Sequence, residues 1–181
     1  SSLVRSLLGN KIDGVMQRAH LVTAGNAYLA NHARAARSQA VEWLPTVIDL
    51  ARYPLAATTH EKDALGDRPV VVGWIGSPST ADYLQQVSAA LQSLQASGRI
   101  RCVAIGARPD QIIGTPFQAE PWQETTEVAQ LQRFDIGIMP LPDEPWERGK
   151  CGYKLIQYMA CGLPVVASPV GVNTELVVQG E

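Results

Sequence analysis

The feature that most constrains this sequence lies in residues 135–175, where two short apolar runs flank a segment bounded by glycines. The runs cover residues 136–139 and 163–168, and both are followed by proline. Runs of this kind predict buried strands, and residues 149–162 between them predict a helix. Because two parallel strands need a crossover connection, the stretch predicts one βαβ unit of a parallel sheet.

The predicted helix carries Lys150, Lys154, Gln157 and Cys161 at steps of three and four, which places them on one face. A helix that opens among glycines and offers two lysines is suited to binding an anion. The alternative is that both lysines form a solvated face with neighbouring acidic residues, as lysine is mostly exposed. If the anion is a nucleotide diphosphate, other segments of the chain should supply contacts for its phosphates, its base and its ribose.

Composition restricts the function classes. Of the 181 residues 46% are apolar and 18% are charged, which predicts a folded core. The net charge of −2 argues against nucleic acid as a partner and requires any anion site to be local. No run reaches the roughly 20 apolar residues of a membrane span, and no secretory signal opens the sequence. Three cysteines without metal spacing, Cys102, Cys151 and Cys161, predict free thiols, a cytoplasmic location and no metal site.

Along the chain, the pattern predicts two parts. Residues 1–54 resemble the end of one βα domain, and residues 55–69, with their polar and proline-rich composition, resemble a linker. Residues 70–181 alternate apolar runs with helical periodicity, which predicts an α/β fold with a doubly wound, Rossmann-like parallel sheet. The predicted helices are 2–18, 27–37, one with a core stripe of Leu84, Val87, Leu91 and Leu94, and 124–134; the predicted strands are 20–24, 41–44, 70–76, 100–106 and an edge strand within 116–122.

Ligands of such sheets bind outside the carboxyl ends of the strands. After the first strand of the second part, Gly76 allows close approach of a ligand, and the hydroxyls of Ser77, Ser79 and Thr80 could contact phosphate oxygens. The alternative is that Ser79 or Thr80 only caps the following helix.

Two further loops reach the same edge. Trp122 follows the edge strand and could lie beside a nucleobase, although tryptophan more often serves core or interdomain packing. Gly171 opens the last turn, and Glu175 could accept hydrogen bonds from ribose or sugar hydroxyls. Otherwise Glu175 is a favourable partner of a helix dipole.

Several familiar sites are absent from the sequence. It has no phosphate-binding P-loop, no HExxH and no GxSxG motif. The glycine fingerprint of dinucleotide-dependent oxidoreductases and its downstream acid are missing too, which disfavours that class. All three histidines precede the second part, so it offers no histidine base.

Residues 134–141, 150–168 and 24–29 together resemble the retaining GT-B glycosyltransferases of group 1, also called family 4. The resemblance implies that residues 70–181 bind a nucleotide-diphosphate sugar and pass the sugar to a glycan, lipid or small-molecule acceptor with retained configuration. It implies no cofactor beyond this co-substrate and no obligatory metal. Positive charge from Lys150, Lys154 and the turn at 76–80 would stabilise the diphosphate leaving group.

The sequence departs from that family at the acidic pair. Gln157 stands where the resemblance expects the acid that binds ribose, and its amide can still bind hydroxyls. Gly149 stands where the first acid is expected, and Glu147 could reach in from two residues earlier. No catalytic residue is assigned.

The resemblance further implies a fragment, with most of an acceptor domain before Ser1, which we expect to be inactive alone. Peripheral membrane contact could be carried by that domain. The alternative function is a non-catalytic nucleotide or sugar-phosphate binding module of the same fold.

Overall fold

The computed structural model describes residues 10–55 and 68–180. Most of the predicted linker, and the first part of the predicted helix 2–18, lie outside the described residues. The strands are β1 Val22–Ala24, β2 Val41–Trp43, β3 Val70–Ile75, β4 Ile100–Ile105, β5 Phe117–Glu120, β6 Ile136–Met139 and β7 Val165–Ala167. The helices are α1 Lys11–Arg18, α2 Ala27–Ala35, α3 Gln85–Ala96, α4 Glu127–Leu131, α5 Pro145–Arg148, α6 Tyr153–Ala160 and α7 Asn173–Leu176, with 3-10 segments at Pro78–Leu84 and Pro109–Gln111.

The central sheet has five parallel strands in the order β5-β4-β3-β6-β7. The chain therefore builds outward from β3 in one direction and then returns to build outward from β6 in the other. This reversal creates a crevice outside the carboxyl ends of β3 and β6, where ligands of doubly wound sheets bind. The predicted α/β, Rossmann-like fold is confirmed.

Both faces of this sheet are buried, as the continuous apolar run of β3 predicts. Val72 and Trp74 face a cluster that includes Leu84, the last residue of the first 3-10 segment. Val71 and Ile75 face the opposite cluster, which also contains residues of α4 and α6. Helices on both faces therefore enclose the sheet and hold its carboxyl edge rigid.

Two glycines and one tyrosine shape the crevice. Gly73 pairs with Gly137 across β3 and β6, and a Cβ on either would meet an aromatic ring, that of Phe134 or that of Tyr158 respectively. Beyond this pair, the Tyr158 hydroxyl accepts from the Ile75 N–H at 3.0 Å and donates to the Ile138 carbonyl at 3.2 Å. The side chain thus bridges the two strands at the reversal point.

The first part of the chain forms a separate two-stranded parallel sheet, β1 with β2. Its helix α2 begins at the cap residue Asn26, which accepts from the Leu29 N–H at 2.8 Å. The Asn26 amide also donates to the carbonyls of Arg148 and Lys150, at 3.2 and 2.9 Å. This single buried side chain therefore fixes the loop before α6. None of the described helices is both long and apolar enough to cross a membrane.

Four predictions about the helices need correction. The helix expected at 124–134 covers only Glu127–Leu131, with turns on either side. Leu94, placed on the core stripe of α3, is 46% exposed. The stripe of α1 is exposed at Ile12 and Val15.

The fourth correction concerns the helix with the two lysines. It begins at Tyr153, because Gly152 adopts the left-handed conformation (φ +71°) and interrupts helical bonding. Lys150 therefore precedes the helix and does not share its face with Lys154 and Gln157. Cys161 is the cap residue that follows the helix.

Candidate functional site

A cavity of about 390 Å³ lies outside the carboxyl ends of β3, β4 and β5, beside the first turn of α6. This is the edge at which the sequence predicts ligand binding. Five predicted site residues line it, together with five that the sequence did not single out. The lining residues are Gly76, Ser77, Trp122, Lys154 and Gln157, and Ile75, Pro78, Gly106, Glu127 and Tyr153.

Lys154 supplies the positive charge of the cavity. Its Nζ lies 4.3 Å from the centre of the Trp74 ring, close to the position that a side chain of Gly76 would occupy. Because Gly76 has no side chain, the lysine can cross the end of β3 to reach this ring. Burial, and then the like charge of Lys150, lower the pKa of Lys154 to about 7.

Lys150 lies near the cavity but not in its wall. Its Nζ is 5.9 Å from the centres of both the Tyr83 and Trp146 rings, a cation–π geometry. In residues 10–55 and 68–180, no carboxylate lies within 4.0 Å of the Nζ atoms of Lys150 or Lys154. The alternative that the two lysines pair with neighbouring acids is therefore wrong. Asp143 and Glu147, the nearest candidates, bond to Arg148 and Tyr83 instead.

Glu127 is the acidic side of the cavity, and the sequence analysis missed it. The residue is 7% exposed and accepts hydrogen bonds from Tyr53 Oη at 2.6 Å and Trp122 Nε1 at 2.7 Å. Gln157 Nε2 donates to the same carboxylate at 3.1 Å. One signal could have found it: Glu127 precedes Leu131 by four residues, and so lies on the buried stripe of its helix.

Trp122 forms part of the cavity wall rather than the core. It is 48% exposed, and within the described residues its indole makes one hydrogen bond, which Nε1 donates to Glu127. The alternative of core packing is wrong for this residue. One side of the indole is therefore available beside the cavity.

Gly106, a second unpredicted residue, closes the floor. Its φ of +85° disfavours any other residue, and a Cβ would lie 2.1 Å from the Gly76 carbonyl oxygen. The Gly106 N–H donates to the Glu120 carbonyl at 2.8 Å. The ends of β3, β4 and β5 are thereby drawn together beneath the cavity.

The hydroxyls of the 76–80 turn point in different directions. Those of Ser77 and Ser79 hydrogen-bond each other at 2.8 Å, and Ser79 lies outside the cavity wall. Thr80 is buried, and its hydroxyl donates to the Ser77 carbonyl at 3.1 Å. Neither Ser79 nor Thr80 caps the following segment, because its cap position is Ser77.

Gly171, Glu175 and Glu147 also lie outside the cavity wall. Gly171 (φ +56°) packs against the backbone of Arg148, and Glu175 is exposed on α7. Glu147 is buried and accepts a hydrogen bond from the Tyr83 hydroxyl. The roles predicted for these residues as ligand contacts stay predictions.

Within the described part of the chain, no group of three or more His, Cys, Asp or Glu side chains could hold a metal ion. Its three cysteines are free thiols.

Solved structures with similar folds are glycosyl-transferring enzymes. Sucrose-phosphate synthase from Thermosynechococcus elongatus is 16% identical with a TM-score of 0.70, and the match covers 92% of this chain and 45% of that one. S. aureus TarM, solved with UDP and α-GlcNAc-glycerol, is 12% identical with a TM-score of 0.63 over 92% of this chain and 34% of that one. A UDP-forming α,α-trehalose-phosphate synthase from Burkholderia xenovorans is 11% identical with a TM-score of 0.59 over 96% of this chain and 52% of that one.

The chain thus spans about half the length, or less, of these structures, and at such low identity they establish the GT-B fold alone. A comparison with curated protein sequences finds no significant match. The family model described as group 1 glycosyl transferases matches residues 69–181. That match includes every lining residue of the cavity and covers well over half of the chain, which therefore belongs to the group 1 glycosyltransferases.

Proposed function

We propose that the cavity binds the nucleotide diphosphate part of a nucleotide-activated sugar. The observation that carries the proposal is a pair of lysines for which the described part of the chain offers no carboxylate partner, one of them inside a cavity at the strand-order reversal. Such charge has a cost when buried, and an anionic ligand would offset that cost. S. aureus TarM was solved with UDP, and the trehalose-phosphate synthase from Burkholderia xenovorans is UDP-forming, which supports a diphosphate ligand.

In this proposal each wall has a role. Lys154, assisted by Lys150, contacts the diphosphate, and the absence of a side chain at Gly76 lets the phosphates approach the backbone. The exposed face of Trp122 stacks on the base, and Gln157 binds the ribose hydroxyls. Sugar would leave the diphosphate for an acceptor, with the lysines stabilising the negative charge that develops on the leaving group.

The test of binding is calorimetric titration of UDP, GDP and ADP into the chain and into Lys154→Met and Lys150→Met. At least one nucleotide should bind, about 10–100-fold more weakly to Lys154→Met, because one charge-assisted contact is lost. Lys11→Met, which removes a lysine from α1, is the matched control and should bind like the wild type. Equal affinity of all four proteins would contradict the proposal.

Transfer with retained configuration and without a metal is tested on the protein in its full natural length. Incubation with the sugar form of the best-binding nucleotide, an acceptor and excess EDTA should give product with the donor's anomeric configuration by NMR. Inverted product, or activity that EDTA abolishes, would refute this part.

A non-catalytic binding module remains the second candidate because of one observation. Gly149 carries no acid, and Glu147, which the sequence offered as its replacement, is already bonded to Tyr83. Nucleotide binding without turnover of any nucleotide-sugar donor, including hydrolysis, would favour this candidate.

A further inference from the structure

The carboxylate of Glu127 faces the side-chain amide of Gln157 at the wall of the cavity. Gln157 Nε2 lies 3.1 Å from Glu127 Oε1 and 3.0 Å from the Tyr53 hydroxyl. Both side chains are almost fully buried, at 7% and 3% exposure. Hydrogen bonds between two such groups hold each in one orientation, because water cannot replace either partner.

The hydrogen-bonding partners decide which way this amide points. An ionised carboxylate only accepts, so the amide atom facing Glu127 must be the nitrogen. The Tyr53 hydroxyl already donates its single proton to Glu127 Oε1 at 2.6 Å, and so it too requires a donor from Gln157. The Glu127 carboxylate thus imposes this orientation both directly and through the Tyr53 hydroxyl.

In this orientation both Nε2 protons of Gln157 are used in hydrogen bonds to Glu127 and Tyr53, and Oε1 is the remaining polar atom of the side chain. Among residues 10–55 and 68–180, no donor hydrogen-bonds Oε1, although Gln157 lines the cavity. The side chain therefore offers a ligand an acceptor and no donor. In this respect a fixed glutamine behaves like one oxygen of a carboxylate.

We propose that Glu127 is a positioning residue that fixes the Gln157 amide so that Oε1 accepts a hydrogen bond from a ribose hydroxyl. This inference rests on the proposed nucleotide binding and adds a residue to it. Without the carboxylate, the amide could turn and present a donor, which would weaken the preference for ribose over deoxyribose.

The experiment exchanges the two groups. Glu127→Gln, Gln157→Glu and the double variant are titrated with the best-binding nucleotide among UDP, GDP and ADP, and with its 2′-deoxy and 3′-deoxy forms. Glu124→Gln is the matched control, because Glu124 lies three residues earlier with a 73% exposed side chain. Within the described residues it contacts Arg52 at 3.4 Å, the guanidinium that also lies 3.7 Å from Glu127, so the control keeps the Arg52–Glu127 contact. Thermal unfolding of each variant reports folding separately.

The wild type and Glu124→Gln should bind the ribonucleotide about tenfold more tightly than at least one of its two deoxy forms. That difference is the effect of one lost hydrogen bond. Glu127→Gln should reduce that preference to about threefold or less, since either amide orientation becomes allowed. Gln157→Glu should bind the ribonucleotide about tenfold more weakly, because two carboxylates would face each other. The double variant, which restores one donor and one carboxylate, should recover the wild-type preference.

Results other than these would overturn either this inference alone or the proposed function as well. A wild type that binds no nucleotide overturns both this inference and the proposed function. Binding without preference for ribose overturns the inference alone, as does full preference in Glu127→Gln. The double variant keeps the test decisive if a single variant unfolds: a double variant no better than Gln157→Glu means that Glu127 is merely structural.

Discussion

Lys154 places its ammonium 4.3 Å above the Trp74 ring, at the end of β3 where Gly76 leaves room for it. Burial of this charge, and then the like charge of Lys150, explain why the pKa of Lys154 falls to about 7. A folded protein gains no stability from such an arrangement, so it indicates a group kept for a ligand.

Lys154→Met should stabilise the protein at neutral pH while weakening nucleotide binding. The lysine pKa is 10.5 unfolded and about 7 folded, so between these values the unfolded chain holds more protons. Wild-type stability therefore rises with pH across this window. The variant should gain about 1–2 kcal/mol below pH 7, a figure reduced for partial solvent access, and the gain should shrink toward pH 10. Urea unfolding at several pH values measures this; a variant less stable than wild type at pH 6 would contradict it.

Nucleotide diphosphate affinity should fall as the pH rises above about 7. Free Lys154 loses its proton in this range, and a bound anion restores it, so binding takes up a proton. Calorimetry in two buffers with different ionisation enthalpies counts that proton directly. Lys154→Met should show no such uptake between pH 7 and 9, and an unchanged uptake in the variant would assign it to another group.

Gly106→Ala should be strongly destabilising. The alanine would combine a φ of +85° with a Cβ 2.1 Å from the Gly76 carbonyl oxygen. We expect a loss of about 2–3 kcal/mol or more in the free energy of unfolding. Gly98→Ala is the control, since Gly98 has φ +72° but open space around its Cβ position, and should lose about 1 kcal/mol. Equal losses would show that the close approach to Gly76 is unimportant.

Tyr158→Phe should lower the free energy of unfolding without creating a cavity, because the hydroxyl joins β3 to β6. The variant leaves the Ile75 N–H and the Ile138 carbonyl without their partner in a buried place. The expected cost is about 1–3 kcal/mol by chemical denaturation. Tyr28→Phe, at a 41% exposed tyrosine, should change stability by less than about 0.5 kcal/mol. A harmless Tyr158→Phe would mean that β3 and β6 do not depend on this bridge.

Trp122→Ala should weaken nucleotide binding more than it weakens the fold. The indole is 48% exposed and contributes one described hydrogen bond, to Glu127. We expect about a tenfold loss of affinity, from lost base stacking, by calorimetry. Trp43→Ala, at a 58% exposed indole on β2 outside the cavity wall, should leave affinity within about twofold. A larger loss of affinity in Trp43→Ala than in Trp122→Ala would contradict base stacking on Trp122.

The fold could be predicted because its signals are local. Continuous apolar runs gave β3, β4 and β6, and glycines or prolines marked their ends. The start of α6 could not be predicted, since periodicity alone continues through Gly152 and only its left-handed backbone reveals the break.

Half of the ten residues that line the cavity were named from the sequence, and their role as ligand contacts stays a prediction. The topology predicts the edge of the sheet at which the cavity lies. It also predicts that Gly76, Lys154 and Gln157 lie at that edge. Glu127 and Tyr53 were missed because they enter from distant parts of the chain, 30 and 104 residues before Gln157. Sequence spacing carries no information about such meetings.

The most direct test of the central claim is a crystal structure of the chain soaked with UDP, GDP or ADP. Diphosphate oxygens should lie within about 3.2 Å of Lys154 Nζ, with the ribose beside Gln157 and the base beside Trp122. A nucleotide bound elsewhere, with Lys154 still over the Trp74 ring and no phosphate near it, would contradict nucleotide binding in the cavity.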